Sequence, residues 1–362
     1  MHRSEIRLNI YILGETTRVG GGQFYLRSMV ESLSDHKIIL VSGFKYDPLN
    51  IGSKVSKRID VGYEYKERIS SPRLLLKALF LKRKIEQINY DHSVVINNHP
   101  NIFLKNADVN IMHGFSFLEP FISYNGKVVK KLPYYVIKML RLYNLYNNGN
   151  FVFNSRYTKN LSEIFFKKLN IKFRDGGILF PPINDGQNIE LPRKGIIIFG
   201  RINREKNIHL ALENLGNIGY PITVAGAVNP GDEVYYNQLV RKYSSFASFI
   251  KNPDEKSKKT LLASSQIYLH TKLNESFGIS VVEAMKYGAI PVVPKSGGPW
   301  IDIVEGGKFG FGYSSFSELV SVIGKAMNNL DMRDTIIEST KRFSAKLFSA
   351  RLNEIVNSLN QR

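Results

Sequence analysis

The sequence predicts an α/β protein built from two doubly wound domains. Three observations carry that prediction. Short apolar runs recur along the chain, each followed by a stretch with helical periodicity, so strands and helices alternate. A triple glycine, Gly20-Gly21-Gly22, separates the first apolar run from the first helical pattern. The length of 362 residues suits about two domains at roughly 150 residues each.

Residues 6–13 (IRLNIYIL) read as a buried strand. The glycine loop follows, then the helical pattern GQFYLRSMVESL, then a strand at 37–41 (KIILV), which completes a βαβ unit. The strand series continues with 93–97 (SVVIN), 109–113 (VNIMH) and 150–154 (NFVFN), the last with a helix after it. The segment 180–184 (FPPIN) is a proline-marked connection. A second series then begins: strand 195–199, helix 208–215, strand 222–225, helix 234–243, strand 266–270, helix 278–287 and strand 290–294. The expected division is a first domain over 1–187, a second over 188–344, and a C-terminal helix over 345–362. Two such domains facing each other would leave a cleft between their strand C-termini.

Composition narrows the function classes. Hydrophobic residues make up 43%, too many for a disordered chain. There is no cysteine, which excludes disulfides, thiolate catalysis, iron–sulfur clusters and cysteine-bound zinc. The opening residues lack the apolar core and cleavage site of a signal peptide, and no uncharged run is long enough to span a bilayer. The expected location is the cytoplasm, with peripheral attachment to the cytoplasmic face of a membrane as an option. The net charge of +19 implies an anionic partner: nucleic acid, a membrane surface or a phosphorylated substrate.

The chemistry concentrates in LHTKLNESFGISVVEAMKYG, residues 269–288. Glu275 sits at the carboxyl end of the strand QIYLH, just before a helix start, and Glu283 lies two turns into that helix. Main-chain N–H groups at a helix start are unpaired and attract anions, and Gly278 would let a ligand approach. Eight helical residues span about 12 Å, close to the distance from sugar to ribose in a nucleotide sugar. The two carboxylates would then grip opposite ends of such a ligand, with the diphosphate over Ser276, Phe277, Gly278 and Ile279. Arg201 and Lys206, in FGRINREKN after the strand GIIIF, would supply positive charge to the phosphates.

The ordered set Gly200-Arg201, Glu205-Lys206-Asn207, Glu275-Ser276-Phe277-Gly278, Glu283 and Ser296-Gly297-Gly298-Pro299 resembles the retaining glycosyltransferases of family 4. Gly20-Gly21-Gly22 matches their first glycine loop, and Asn154-Ser155-Arg156-Tyr157-Thr158 a segment late in their first domain. That resemblance implies the GT-B fold, two Rossmann-like domains facing across a cleft. It implies an acceptor site in the first domain, a nucleotide-sugar site in the second, and a last helix crossing back. The block LHTKLNESFGISVVEAM with SGGPWIDIV is most similar to the dolichol-linked α-1,2-mannosyltransferases, which use GDP-mannose. By that resemblance Glu275 contacts the transferred sugar, Glu283 the ribose, and Arg201 and Lys206 the diphosphate. Gly21 and Gly22 admit the phosphates, and His113 stands near the sugar as a catalytic group, with His99 a second candidate. The partners implied are a nucleotide-sugar donor and a glycan or lipid-linked acceptor.

Taken singly, each of these residues has a plainer reading. A helix glutamate is usually solvated, a lysine is usually a surface charge, and a strand-end histidine is usually structural. Gly297-Gly298 fits an ordinary turn as well as a phosphate or sugar contact. The joint pattern is what points to sugar transfer. No P-loop, zincin or nucleophile-elbow motif is present, and no Asp-x-Asp. The expectation is therefore no cofactor and no metal. A UDP-sugar donor for surface polysaccharide or glycolipid synthesis is one alternative. A non-catalytic protein that binds anionic membrane or nucleic acid is another. Dispersed charge and the absence of a recognised motif argue against nucleic acid. The basic, apolar stretches 70–84 and 126–141 suit either a membrane surface or core helices with solvated lysines.

Overall fold

The computed structural model describes residues 7–16, 20–43, 47–61, 83–90, 93–98, 104, 107–114, 148–168, 170–183, 189–216 and 218–360. The stretch 126–141, all but the last two residues of 70–84, and His99 lie outside the described residues. Two compact units result: Met1–Pro182 with Ala345–Arg362, and Ile183–Ser344.

The first unit holds a sheet of seven described strands: β1 (Asn9–Leu13), β2 (Lys37–Ser42), β3 (Lys57–Asp60), β4 (Val94–Asn97), β5 (Val109–Met112), β6 (Gly149–Phe153) and β7 (Phe173–Ile178). Their order is β3-β2-β1-β4-β5-β6-β7, with every pairing parallel. Strands covered on both faces carry apolar runs, as in the IILV of β2 and the VVI of β4, while β5 (VNIM) is interrupted by the buried Asn110. The edge strands β3 (KRID) and β7 (FRDGGI) are polar and partly exposed.

Helix α1 (Gly21–Ser32) follows β1 and buries Tyr25, Leu26, Met29 and Val30 on one stripe. Helix α2 (Arg156–Lys168) follows β6. The Ser155 hydroxyl accepts a hydrogen bond from the Thr158 N–H at 2.9 Å, capping its first turn. The residues of that apolar stripe share one core with Phe348, Leu352, Ile355 and Val356 of the C-terminal segment.

The second unit has six strands: β8 (Ile196–Phe199), β9 (Ile222–Gly226), β10 (Ala247–Lys251), β11 (Ile267–Leu269), β12 (Ile290–Pro294) and β13 (Phe311–Tyr313). Their parallel order is β10-β9-β8-β11-β12-β13. The helices are α3 (Ile208–Leu215), α4 (Glu233–Tyr243), α5 (Glu255–Ala263), α6 (Ile279–Lys286), α7 (Leu319–Met327) and α8 (Arg333–Ser339). The last helix, α9 (Ala345–Asn360), returns to the first unit. Asp254 caps α5 by accepting from the Ser257 N–H at 2.7 Å.

Both sheets reverse direction at the same place in their order, between β1 and β4 and between β8 and β11. Open parallel sheets bind ligands at such a switch point, outside the carboxyl ends of the strands. That edge carries Gly14 and Asn98 in the first unit, and Gly200 and His270 in the second.

Candidate active site

In the second unit, β8 runs into Arg201 and a short 3₁₀ turn, Arg204–Lys206. Lys206 Nζ lies 2.6 Å from Glu275 Oε2, and Lys272 Nζ lies 3.4 Å from Glu275 Oε1. The Thr271 hydroxyl donates to the Lys206 carbonyl. Burial opposes ionisation of Glu275, but the Lys206 and Lys272 charges override it and hold the carboxyl well below its ordinary range. Glu275 is therefore a fixed anion with its own counterion. The expected Arg201–Lys206 pair divides: Lys206 is engaged by Glu275, while Arg201 is exposed and has no partner among the described residues.

Sequence reading placed Glu275 at the end of the preceding strand. The strand stops at Leu269, and Glu275 stands beyond it in the loop that leads to α6. Asn274, in the left-handed conformation at φ 53°, turns that loop. The helix begins only at Ile279, so Glu283 sits about one turn into it rather than two.

Gly278 caps α6 at φ 103°, and a Cβ there would come within 3.0 Å of Pro299 Cγ. Backbone conformation and packing thus favour glycine here within the unit itself. The Phe277 side chain is buried edge-on against Phe343 at 5.3 Å. Phe277 can offer a ligand its main chain and little more. Ser276 and Ile279 are half-buried beside it. No side chain caps α6, and of its first-turn N–H groups that of Val281 donates to the Gly278 carbonyl at 2.9 Å.

Gly297 and Gly298 shape the same loop. The Gly298 N–H donates to the Glu275 carbonyl at 2.8 Å, and a Cβ on Gly298 would sit 2.4 Å from the Ser276 carbonyl oxygen. Gly298 has an ordinary helical φ of −61°, so the constraint there is space alone. Gly298→Ala is expected to push the Glu275 loop outward and to cost about 1–3 kcal/mol of stability. Thermal melting checks the cost. An unchanged melting temperature would mean that the loop yields freely.

Glu283 Oε1 is 2.6 Å from Lys258 Nζ on α5, and both side chains are mostly buried. Burial raises the Glu283 pKa, and the Lys258 ammonium opposes that rise. Lys258 also lies 6.0 Å from the centre of the Phe199 ring at the end of β8. Sequence reading did not single out Lys258 or Lys272. Lys258 meets Glu283 from a different element, and Lys272 lies three residues before Glu275 in the same loop.

In the first unit, Gly21 and Gly22 form the first residues of α1, behind an extended Gly20. A Cβ on Gly22 would meet no atom within 4 Å, so nothing inside the unit demands glycine there. His113 follows β5. Its Nε2 is 2.7 Å from Asn98 Oδ1, and its ring stands edge-on to Tyr25 at 4.7 Å. The Asn154 amide donates to the His113 carbonyl at 3.3 Å. Burial pulls the imidazole down to about 4, so it is neutral at pH 7. The Asn-Ser pair read from the sequence thus has two tasks: Asn154 steadies His113 and Ser155 caps α2.

Among the described residues, no group of three histidine, aspartate or glutamate side chains could hold a metal ion. No described helix is long and apolar enough to cross a membrane.

A family model described as "Glycosyl transferases group 1" matches residues 182–343, nearly the whole second unit. That match covers the second unit and just under half of the chain. A human relative, named GDP-Man:Man(3)GlcNAc(2)-PP-Dol alpha-1,2-mannosyltransferase, is 27% identical over 306 residues, 75% of this chain and 60% of its own length. The chain spans about half the length of the curated relatives it matches. Sucrose-phosphate synthase from Thermosynechococcus elongatus is 13% identical at a TM-score of 0.69, over 98% of this chain and 99% of that one. HepE from Anabaena, solved in complex with UDP-glucose, is 16% identical at a TM-score of 0.65, over 97% of this chain and 100% of that one. At these identities the structural likeness is one of fold, and the fold is GT-B.

Proposed function

We propose that this protein transfers a hexose, mannose from GDP-mannose, to a glycan or lipid-linked acceptor with retention at the anomeric carbon. The observation that carries this reading is the cluster at the switch point of the second unit. There Glu275, paired with Lys206, stands beside the uncapped start of α6, one turn before Glu283. A sugar would meet Glu275, the diphosphate would meet Arg201, Lys206 and the α6 amides, and the ribose would meet Glu283. The guanosine and mannose assignment rests on the names of relatives such as the human enzyme. The UDP-glucose bound to HepE, which shares the fold, keeps a UDP-sugar as the second reading.

The first unit receives the acceptor in this scheme, and His113 would stand near the sugar. No side chain is assigned as a covalent nucleophile. The departing phosphate assists deprotonation of the acceptor hydroxyl on the same face. The diphosphate's charge is met by Arg201, Lys206 and main-chain amides, so turnover needs no divalent cation. The protein works on the cytoplasmic face of a membrane, held there peripherally by basic surface.

A thermal-shift panel of GDP, UDP, ADP and their sugars tests the reading, since a ligand that binds the native state raises its melting temperature. GDP and GDP-mannose are expected to give the largest shifts, and turnover is expected to survive excess EDTA. A UDP preference selects the second reading. No shift with any nucleotide removes the donor site, and a strict need for Mg²⁺ or Mn²⁺ removes the charge assignment.

A further inference from the structure

His270 ends β11 at the switch point, and its side chain is 3% exposed. Its Nε2 is buried without a hydrogen-bond partner. Folded proteins leave few buried polar atoms unpaired, so an orphan of this kind calls for a partner. Glu275 Oε2 lies 4.0 Å from it, the same oxygen that Lys206 holds at 2.6 Å.

The histidine itself has little room to move. Its N–H donates to the Val292 carbonyl at 2.9 Å, and the Tyr313 hydroxyl donates to its carbonyl at 2.8 Å. Its ring lies nearly parallel to Tyr268 at 6.4 Å. The Tyr268 hydroxyl is in turn hydrogen-bonded with Phe199 and Ser280. The mobile members are the Glu275 carboxylate and the Lys206 ammonium.

We infer that His270 is a positioning residue, whose Nε2–H takes over Glu275 Oε2 when a bound diphosphate draws Lys206 away. This rests on the donor site proposed above. Lys206 then has two anions to serve, and the more highly charged diphosphate competes with Glu275 for its ammonium. Once it turns to the phosphates, Glu275 keeps only the longer Lys272 contact on its other oxygen. A shift of about 1 Å brings Oε2 within hydrogen-bond distance of His270. Burial pulls the His270 pKa down to about 3, so the ring is neutral at pH 7. A neutral donor orients the carboxylate without adding positive charge beside an anomeric carbon that is itself becoming positive.

The test compares wild type, His270→Leu and His270→Gln by donor turnover, calorimetry with the bare nucleoside diphosphate, and thermal melting. His270→Leu is expected to lose about tenfold or more in kcat, with donor KM and nucleotide affinity changed less than about threefold. Its melting temperature should hold or rise, because the orphan atom is gone. His270→Gln, which offers an amide N–H in place of Nε2–H, should recover much of the lost kcat. Full turnover in His270→Leu overturns the inference, as does nucleotide affinity falling in step with kcat. Equal loss in both variants with lowered melting temperatures also overturns it, since that marks a packing role. A wild type that turns over no sugar nucleotide defeats the donor-site reading and this inference with it. An active wild type with an equally active His270→Leu defeats this inference alone.

Discussion

Glu275→Gln is expected to lower kcat by roughly a hundredfold or more, the scale of losing an electrostatic stabiliser of developing charge. Affinity for the bare nucleoside diphosphate should not fall with it. The carboxylate now holds Lys206 at 2.6 Å, and an amide releases that lysine to the phosphates. Bare-nucleotide binding should therefore stay level or tighten. Glu283→Gln is expected to behave differently in kind. Its carboxylate would meet the ribose, which is held alike in ground and transition states, so donor KM and nucleotide affinity should weaken by about tenfold with kcat little changed. Calorimetry with the nucleotide and steady-state turnover with the donor separate the two. The opposite pattern would reverse the direction of the donor along α6. If neither variant changes anything, the donor site lies elsewhere.

Lys206→Ala should have the larger effect on kcat/KM, because it removes two interactions at once. A charge-assisted contact to the diphosphate is typically worth about 1.5–3 kcal/mol, a tenfold loss or more in nucleotide affinity. The same cation stabilises the extra charge that develops on the diphosphate as it departs, so the combined fall in kcat/KM is expected near a thousandfold, on the order of the two losses together. The variant also carries a signature in stability. The Glu275 pKa is depressed below its ordinary 4.5 in the folded state. The ion pair therefore contributes stability that is fully present above about pH 4.5 and is lost as pH falls through the folded value. The gap in melting temperature between wild type and Lys206→Ala should narrow on acidification below pH 4.5. A gap that stays constant with pH would mean that the pair contributes nothing to folding.

Much of this fold could be read from the sequence because parallel strands covered on both faces must be apolar throughout. Runs such as KIILV, SVVIN and GIIIF have few other uses. The elements that escaped reading were those the same rule does not reach. Edge strands β3 (KRID) and β7 (FRDGGI) face water and look like loops. Strand β10 (ASFIK) alternates and is half-exposed, and β13 (FGY) has only three residues. At the site, the glutamates, Arg201 and Lys206 were visible because they stand in a known spacing. The partners were not. Lys258 reaches Glu283 from α5, and His270 turns toward Glu275 only because Asn274 bends the intervening loop. Nothing in the local sequence around a lysine or histidine records which carboxylate it will face. The fold's own reasons for Gly278 were equally hidden: its left-handed φ of 103° and the neighbouring Pro299 come from packing that the local sequence does not record.

The helix Ala345–Asn360 has a consequence for how the chain is made. Phe348, Leu352, Ile355 and Val356 are interior residues of the first unit, packed with Tyr25, Leu26 and Met29. A ribosome releases them only after all of Ile183–Ser344 has been synthesised. The second unit is contiguous in sequence, whereas the first is finished by a segment made after it. Strand residues such as Ile10, Ile12 and Leu40 cover part of the α1 stripe, and the rest waits for the last helix. The first unit therefore cannot be completed before the second has been made, although most of it comes first in the chain. Throughout elongation, the nascent chain presents an apolar surface that a chaperone would have reason to shield.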